Sequence, residues 1–563
     1  MGAGNFTDDF KRDADAHITG RCYPVAEVSK RLDVSQHSLY AWRRRKLSKP
    51  SGPADVDQAA EIRRLGLSLF FTLQNFVAIA VGVMIGVTIG SIPGLTATMA
   101  VALALPFTFS LPPVTGILLL VGIYKGGIFG GSISAILIRA PGTPAAACTS
   151  LDGYPMARRG EAGKALQMAL YASCIADVIS NLALIFLAGT IASFALEFGP
   201  PEYFWLIAFS LTIVISISGS SLTKGLISGL LGVLLSTVGL DLVYGTQRLT
   251  FDNFNLMGGI SYIPLLIGLF AIPEVIEFYV QRSSNLDVSS SDRSRVNWPE
   301  FKRCLPTIFR GSLIGVALGS VPGIGATAAL FLSYGEARRN SKNPETFGRG
   351  EIKGVAAAES GNNGVAGATL IPLLALGIPG DVVTAVILGA FMLQGLTPGP
   401  LMFQDIIDII YALFCGMIVA SIFLFASGMF AIRYFARITD VPRHILIPLV
   451  LLFCVFGSYA VQNQMFDVLI MLLFGLLGFL MARIGMSSAP LLIGFILGPL
   501  FEDNLRRSYL IANDAAVFVR SPICWFFIAA TALSLFVGLR KEFESARRKG
   551  AGRRSRMMGG NIR

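Results

Sequence analysis

Charge is what this chain has least of. Only 14% of its 563 residues are Asp, Glu, Lys or Arg, against about 25% in an ordinary soluble domain. Between Leu67 and Tyr124 there is not one of them, so that stretch cannot present a solvated face. Histidine is almost missing: His17, His37 and His444 are the only three, and their spacing suits no metal. Seven cysteines, an odd number without a C-x-x-C pair, give neither a disulfide framework nor a zinc site. No Gly-rich phosphate loop ending in Lys-Ser or Lys-Thr is present, which argues against an ATPase. No constellation of nucleophile, base and orienting group supports an enzyme, and no cofactor is implied.

What is there is apolar. Hydrophobic residues make up 53% of the chain, and many runs exceed the ~18 apolar residues that signal a membrane span. The reading is an all-α polytopic membrane protein of about 10–12 transmembrane helices, arranged as two inverted repeats with broken, re-entrant helices. The expected spans are Leu69 to Ile92, Leu95 towards Phe109, then segments near 165–189, 203–219, 225–243 and 260–280. Others follow near 406–432, 445–460, 465–483, 488–500 and 522–539.

The duplication is visible as text. GVTIGSIPGLTATMAVAL (Gly86 to Leu103) returns as GVALGSVPGIGATAALFL (Gly315 to Leu332), offset by 229 residues and identical at ten of eighteen positions. Each copy is broken by Pro-Gly, at Pro93-Gly94 and Pro322-Gly323. A second pair of blocks carries Pro141-Gly142-Thr143 in one half and Pro379-Gly380-Asp381 in the other. The charges flanking these breaks swap between halves. Arg158, Arg159 and Lys164 follow the second break of the first half, whereas Arg338 and Arg339 follow the first break of the second half. Basic short loops face the cytoplasm, so matching loops are expected on opposite sides, as an inverted repeat requires. The nine Lys/Arg from Arg540 onward place the C-terminus in the cytoplasm by the same rule.

An interrupted helix leaves backbone groups unpaired and survives in a membrane only inside protein or beside a wet cavity. A half-helix starting after Pro-Gly presents free N–H groups and a positive partial charge, a cradle for a carboxylate. Candidate substrate ligands are therefore Ser91, Pro93, Gly94, Thr96 and Thr98 in the first half, with Arg139, Pro141, Gly142 and Thr143 at its second break. In the second half they are Ser320, Pro322, Gly323, Thr327, Asn362, Asn363, Pro379 and Gly380. Arg139 is either a counter-charge or an arginine snorkelling to the interface. The amides of Asn362 and Asn363 are either ligands or interhelical glue. Asp177, Glu359 and Asp381 are acids within apolar blocks, hence candidates for cation coupling, with local capping or packing as the alternative.

Residues 1 to about 65 are of another kind. YPVAEVSKRLDVSQHSLYAWRRRK reads as helix-turn-helix, with Val25, Val28 and Leu32 on one stripe, Ser35 as a cap, and Leu39 and Trp42 inward. This piece resembles the N-terminal DNA-binding part of insertion-sequence transposases. Its twelve basic and nine acidic residues within 1–66 leave too little net charge for salt-stable binding to nucleic acid.

The blocks from about Leu67 to Leu539 carry a second resemblance. The paired G-x(3)-G-x(2)-PG-x(2)-AT blocks, GGSISAILIRAPGTPAA with LDGYPMARRGEAGKAL, and AAAES-x-NN-x-VAG with LIPLLALGIPGD and LQGLTPGP look like the large membrane subunit of the tripartite tricarboxylate transporter family. That resemblance implies a secondary transporter of the bacterial inner membrane. A periplasmic solute-binding protein delivers a carboxylate to this subunit and a small membrane partner, and a Na⁺ or H⁺ gradient drives uptake. Two departures stand out. A transposase-like piece replaces the short leading segment of the family, and Arg139 occupies a position where an amide is common, which makes it a candidate for tuning the substrate. The expected division is 1–65 transposase-like segment and linker, 66–280 first repeat, 281–306 loop, 307–540 second repeat and 541–563 basic tail. The alternative is a disrupted or membrane-anchored DNA-binding fusion protein without transport activity.

Overall fold

The computed structural model describes residues 64, 66–139, 144–217, 221–241, 244–280, 294–434 and 443–559. The chain divides into Met1–Leu65 and Gly66–Arg563. All of the first unit but Arg64, and with it the expected helix-turn-helix, lies outside the described residues, as do Pro141, Gly142 and Thr143.

Among the described residues the second unit is helical, with one two-stranded hairpin. Helix α1 (Leu73–Ser91) is started by Thr72, whose side chain accepts from the Asn75 N–H. It stops where Pro93 cannot continue it and Gly94 turns the chain at φ 84°. The half-helix α2 (Ala97–Ala104) begins at Thr96, which caps the Met99 N–H, and runs into a 3₁₀ turn over Leu105–Ser110. Helix α3 (Pro113–Ile138) is buried along nearly its whole length and ends at Arg139 in a left-handed conformation, φ 55°. Then come α4 (Thr149–Arg158), α5 (Ala162–Ala195), α6 (Pro200–Ile217) and α7 (Leu222–Ser236). Strands β1 (Gly239–Leu240) and β2 (Gln247–Arg248) pair antiparallel, Gly239 opposite Arg248. A segment of α8 (Tyr262–Leu266), a π-turn (Ile267–Ala271) and α9 (Ile272–Val280) closes this half.

The second half repeats the plan. Helix α10 (Trp298–Gly319) opens with a capping box between Asn297 and Glu300. The chain breaks at Pro322 and Gly323, φ 83°, and α11 (Gly325–Arg339) returns. Next are α12 (Ile352–Ala368), α13 (Leu370–Leu376) and, after the Pro379-Gly380 break, α14 (Val382–Leu393). The remainder is α15 (Met402–Asp405), α16 (Ile407–Tyr434), α17 (Arg443–Gln462), α18 (Met465–Arg483), α19 (Ser488–Ala512) and α20 (Pro522–Gly559).

By length and composition, six of these helices among the described residues can cross a membrane, and five shorter apolar helices accompany them. Two of the shorter helices, α2 and α14, begin at Pro-Gly breaks. The expected span over 225–243 stops at Ser236, because Gly239 (φ 127°) and Asp241 turn the chain into the hairpin. Asp241 is held there by the two terminal guanidinium nitrogens of Arg506, at 3.1 and 2.8 Å. The span expected over 488–500 continues to Ala512.

Glycine sets the helix spacing. Along α1 and α3 the close approaches are Ile79 with Gly122, Val83 with Gly126 and Val87 with Gly130, so the two helices run parallel. A Cβ at Gly86 would collide with the Ile123 carbonyl and one at Gly126 with the Val83 carbonyl, the small-residue packing that draws membrane helices together. In the second half, Gly311 meets Ser360, Gly315 meets Gly364 and Gly319 meets Ala368, again in parallel order. Each half thus holds a helix, a break, a returning half-helix and a parallel partner. The two basic loops meet. The Arg159 guanidinium donates to the Gly350 carbonyl at 2.7 Å, and Asp152 Oδ1 accepts the N–H groups of Gly348, Gly350 and Glu351, each at 2.8 Å.

Candidate functional site

Four helix starts, those of α2, α11, α14 and α19, border one cavity of about 610 Å³. Its wall includes Thr96 and Thr98 from the first break, Gly323 to Thr327 from the third, Asp381 from the fourth, and Ser487 ahead of α19. Tyr124 of α3 and Asn362 of α12 complete its polar lining. No Lys or Arg lines this cavity.

The four helix starts differ in what already occupies them. Thr96 caps α2, and its own hydroxyl and N–H donate to Glu274 of α9, at 2.7 Å to Oε1 and 3.3 Å to Oε2. Asp381 caps α14 by accepting the Thr384 N–H at 2.7 Å while Thr384 Oγ1 accepts the Asp381 N–H at 2.8 Å, and Asp381 Oδ2 also accepts from the Tyr124 hydroxyl at 2.9 Å. Ser487 caps α19 through the Ala489 N–H. Helix α11 has no side-chain cap: its leading residue is Ile324. Its first-turn N–H groups therefore face the cavity without a protein acceptor from a cap, and these are the groups with which a helix start binds an anion.

Asn362 carries the stronger sign. Its side chain is 1% exposed, and neither Nδ2 nor Oδ1 has a hydrogen-bond partner. A buried amide left without partners costs about 1–3 kcal/mol, so its place on the cavity wall calls for a ligand that satisfies it. Its neighbour Asn363 is different: its Nδ2 donates to Ser173 Oγ at 2.8 Å and to Glu359 O at 3.1 Å.

Of the residues singled out from sequence, the fold gathers Thr96, Thr98, Gly323, Thr327, Asn362 and Asp381 on the cavity. Pro322, Pro379 and Gly380 do not line it, and the Gly323 N–H donates to the Gly380 carbonyl at 2.8 Å, tying the two breaks of the second half together. Pro93 and Gly94 form the turn ahead of Thr96. Ser91 and Ser320 turn their hydroxyls back onto their own helices, to Thr88 O at 2.8 Å and Val316 O at 2.8 Å. Arg139 is exposed, with its guanidinium 5.9 Å over the Tyr154 ring, and does not line the cavity. Glu359 is enclosed by Ser132 at 2.6 Å, Thr149, Ser173 at 3.0 Å and Asn363 at 3.3 Å. Asp177 pairs with Lys125 at 2.9 Å, away from the cavity wall.

Sequence reading missed Tyr124, Lys125, Glu274 and Ser487. Two signals were there. Lys125 is the lone charge within the apolar run from Leu67 to Ile138, and Pro-Leu-Leu-Ile-Gly occurs both at Pro264 and at Pro490. That second duplication marks the segment leading into the helix of Glu274 and the helix that follows Ser487.

Residues 76–493 match the family described as Tripartite tricarboxylate transporter TctA family, and residues 1–66 match one described as Transposase. An uncharacterized 52.8 kDa protein of the TAR-I ttuC' 3' region of Agrobacterium vitis is 40% identical over 499 residues, covering 86% of this chain and 97% of that protein. An uncharacterized protein of the TAR-II ttuC' 3' region of the same organism is 44% identical over 218 residues, 38% of this chain and 87% of that protein. No solved structure matches.

Proposed function

The chain belongs to the tripartite tricarboxylate transporter TctA family, and from that footing we propose that it is the large transmembrane subunit of a secondary transporter importing tricarboxylates or related carboxylates. It works in the bacterial inner membrane with a small membrane subunit and a periplasmic solute-binding protein, and a Na⁺ or H⁺ gradient drives it. The observation that carries the reading is the partnerless Asn362 amide on the wall of a cavity bordered by the uncapped start of α11. A substrate carboxylate accepts the free N–H groups of α11 and the Asn362 amide donor. The amide oxygen accepts from a substrate hydroxyl or from the remaining carboxylic proton. Binding by backbone dipoles avoids a buried Lys or Arg, whose tight ion pair would resist release on the far side.

The inverted arrangement of the halves is part of the proposal. It is supported by the meeting of Arg159 with Gly350, which brings the loop after the second break of the first half beside the loop after the first break of the second. Alternate access then follows from one half moving against the other around the cavity.

The test is uptake of labelled citrate and C4-dicarboxylates by cells carrying the chain with its two partners, with and without a Na⁺ gradient. Asn362→Leu is expected to cut uptake about 10- to 100-fold, the worth of one hydrogen bond to a charged group, without loss of protein from the membrane. Unchanged uptake in that variant would remove the site. The transposase match over residues 1–66 favours a second reading, a fusion product without transport. Comparison with a chain starting near Leu67 decides it: transport by the shorter chain alone would support that reading, and transport by both would make the N-terminal piece a passenger.

A further inference from the structure

Tyr124 reaches the cavity, and the next residue, Lys125, reaches the other way. Its Nζ lies 2.9 Å from Asp177 Oδ2, 3.1 Å from Asn181 Oδ1, 2.8 Å from the Met417 carbonyl and 3.5 Å from Ser421 Oγ. All four partners are oxygens, supplied by α5 and α16, and the Lys125 and Asp177 side chains are each 1% exposed. The shell is knitted together: Ser421 donates to Asp177 Oδ2 at 2.5 Å, and Asn181 Nδ2 donates to the Met417 carbonyl at 3.1 Å.

A buried ion pair is a poor device for stability, because desolvating two charges costs about as much as their attraction returns. The pair therefore calls for another role. A carboxylate, an amide oxygen, a backbone carbonyl and a hydroxyl converging on one point are the ligands of a hard cation. Asp177 Oδ1 is buried without a partner, so the ammonium does not exhaust the carboxylate. Ser421 and Cys174 also line an open groove of about 860 Å³ walled by α5, α16 and the start of α10, so the shell borders an opening.

We propose that Asp177, Asn181, Ser421 and the Met417 carbonyl form a binding site for a monovalent alkali cation, which Lys125 fills with its own ammonium in this conformation. The site stands next to the cavity through α3, since Tyr124 holds Asp381 there. Withdrawal of Lys125 frees the shell for the ion and shifts the residue that touches the cavity. The proposal rests on the transporter reading for the use made of the ion, not for its binding.

The full chain, purified in detergent, is heated in NaCl, KCl and choline chloride at equal ionic strength. Lys125→Ala is expected to gain a saturable rise in Tm of about 2–4 °C in NaCl or KCl over choline. The wild type requires a far higher concentration for the same shift, and Lys125→Ala with Asp177→Asn shows none. If Lys125→Ala is recovered only in NaCl or KCl, the same result is read as yield. Equal Tm, or equal loss of protein, in all three salts would overturn the site, as would a double variant that responds like the single one. Binding is read here without uptake, so failure of the cation site and failure of the carboxylate reading are separate results.

Discussion

Thr96 gives both its hydroxyl and its backbone N–H to Glu274, a residue 178 positions away. The start of the first half-helix is thus occupied by a carboxylate of the protein itself, while the corresponding start in the second half has no side-chain cap. The two breaks, so alike in sequence, are unequal in the folded chain, and one of them is left for a substrate.

Glu274→Gln keeps an oxygen for Thr96 and removes a charge from behind the cavity wall. KM for a carboxylate is expected to fall several-fold in this variant, because a carboxylate beside the cavity and a carboxylate substrate repel across low-dielectric surroundings. Glu274→Ala instead leaves two Thr96 donors bare, a loss of about 1–3 kcal/mol, read as a lower Tm.

Gly94 and Gly323 hold φ of 84° and 83°, a region that costs an L-residue about 1–2 kcal/mol. Either Gly→Ala change is expected to abolish uptake while protein still reaches the membrane. Gly323→Ala should be the more severe in Tm, because its Cβ would also meet Val214. Normal uptake in both variants would separate the breaks from transport.

Gly86 lies against the backbone of α3, whereas nothing stands within 4 Å of a Cβ at Gly335 in α11. Gly86→Ala forces the helices apart and is expected to cost about 1–3 kcal/mol. Gly335→Ala should be neutral or stabilising by up to about 1 kcal/mol. Thermal unfolding of the pair in one detergent checks both.

Asp152 is fully buried and gathers three loop N–H groups and the Tyr334 hydroxyl, the last at 2.7 Å. Asp152→Ala strands those donors, and the loop around Arg349 is expected to open. Trypsin should then cut at Arg349 in the variant under conditions that spare the wild type.

Much of this protein was legible in its sequence. Hydrocarbon tolerates few charges, so the apolar runs alone require a polytopic helical protein, and Pro-Gly stops a helix wherever it stands. The duplicated blocks therefore announced the breaks, and the position of Thr96, Gly323 and Asp381 at half-helix starts followed from local rules. The resemblance of residues 1–66 to transposases was likewise a matter of local pattern.

Only tertiary structure decided which of these residues act together. Asn362 and Asn363 are neighbours of one type, yet a single step turns a side chain about 100° around a helix, so one faces the cavity and the other Ser173. No local rule assigns Glu274 to Thr96, or Lys125 to Asp177 and to Met417, 52 and 292 residues away. Those pairings come from the approach of helices far apart in the chain.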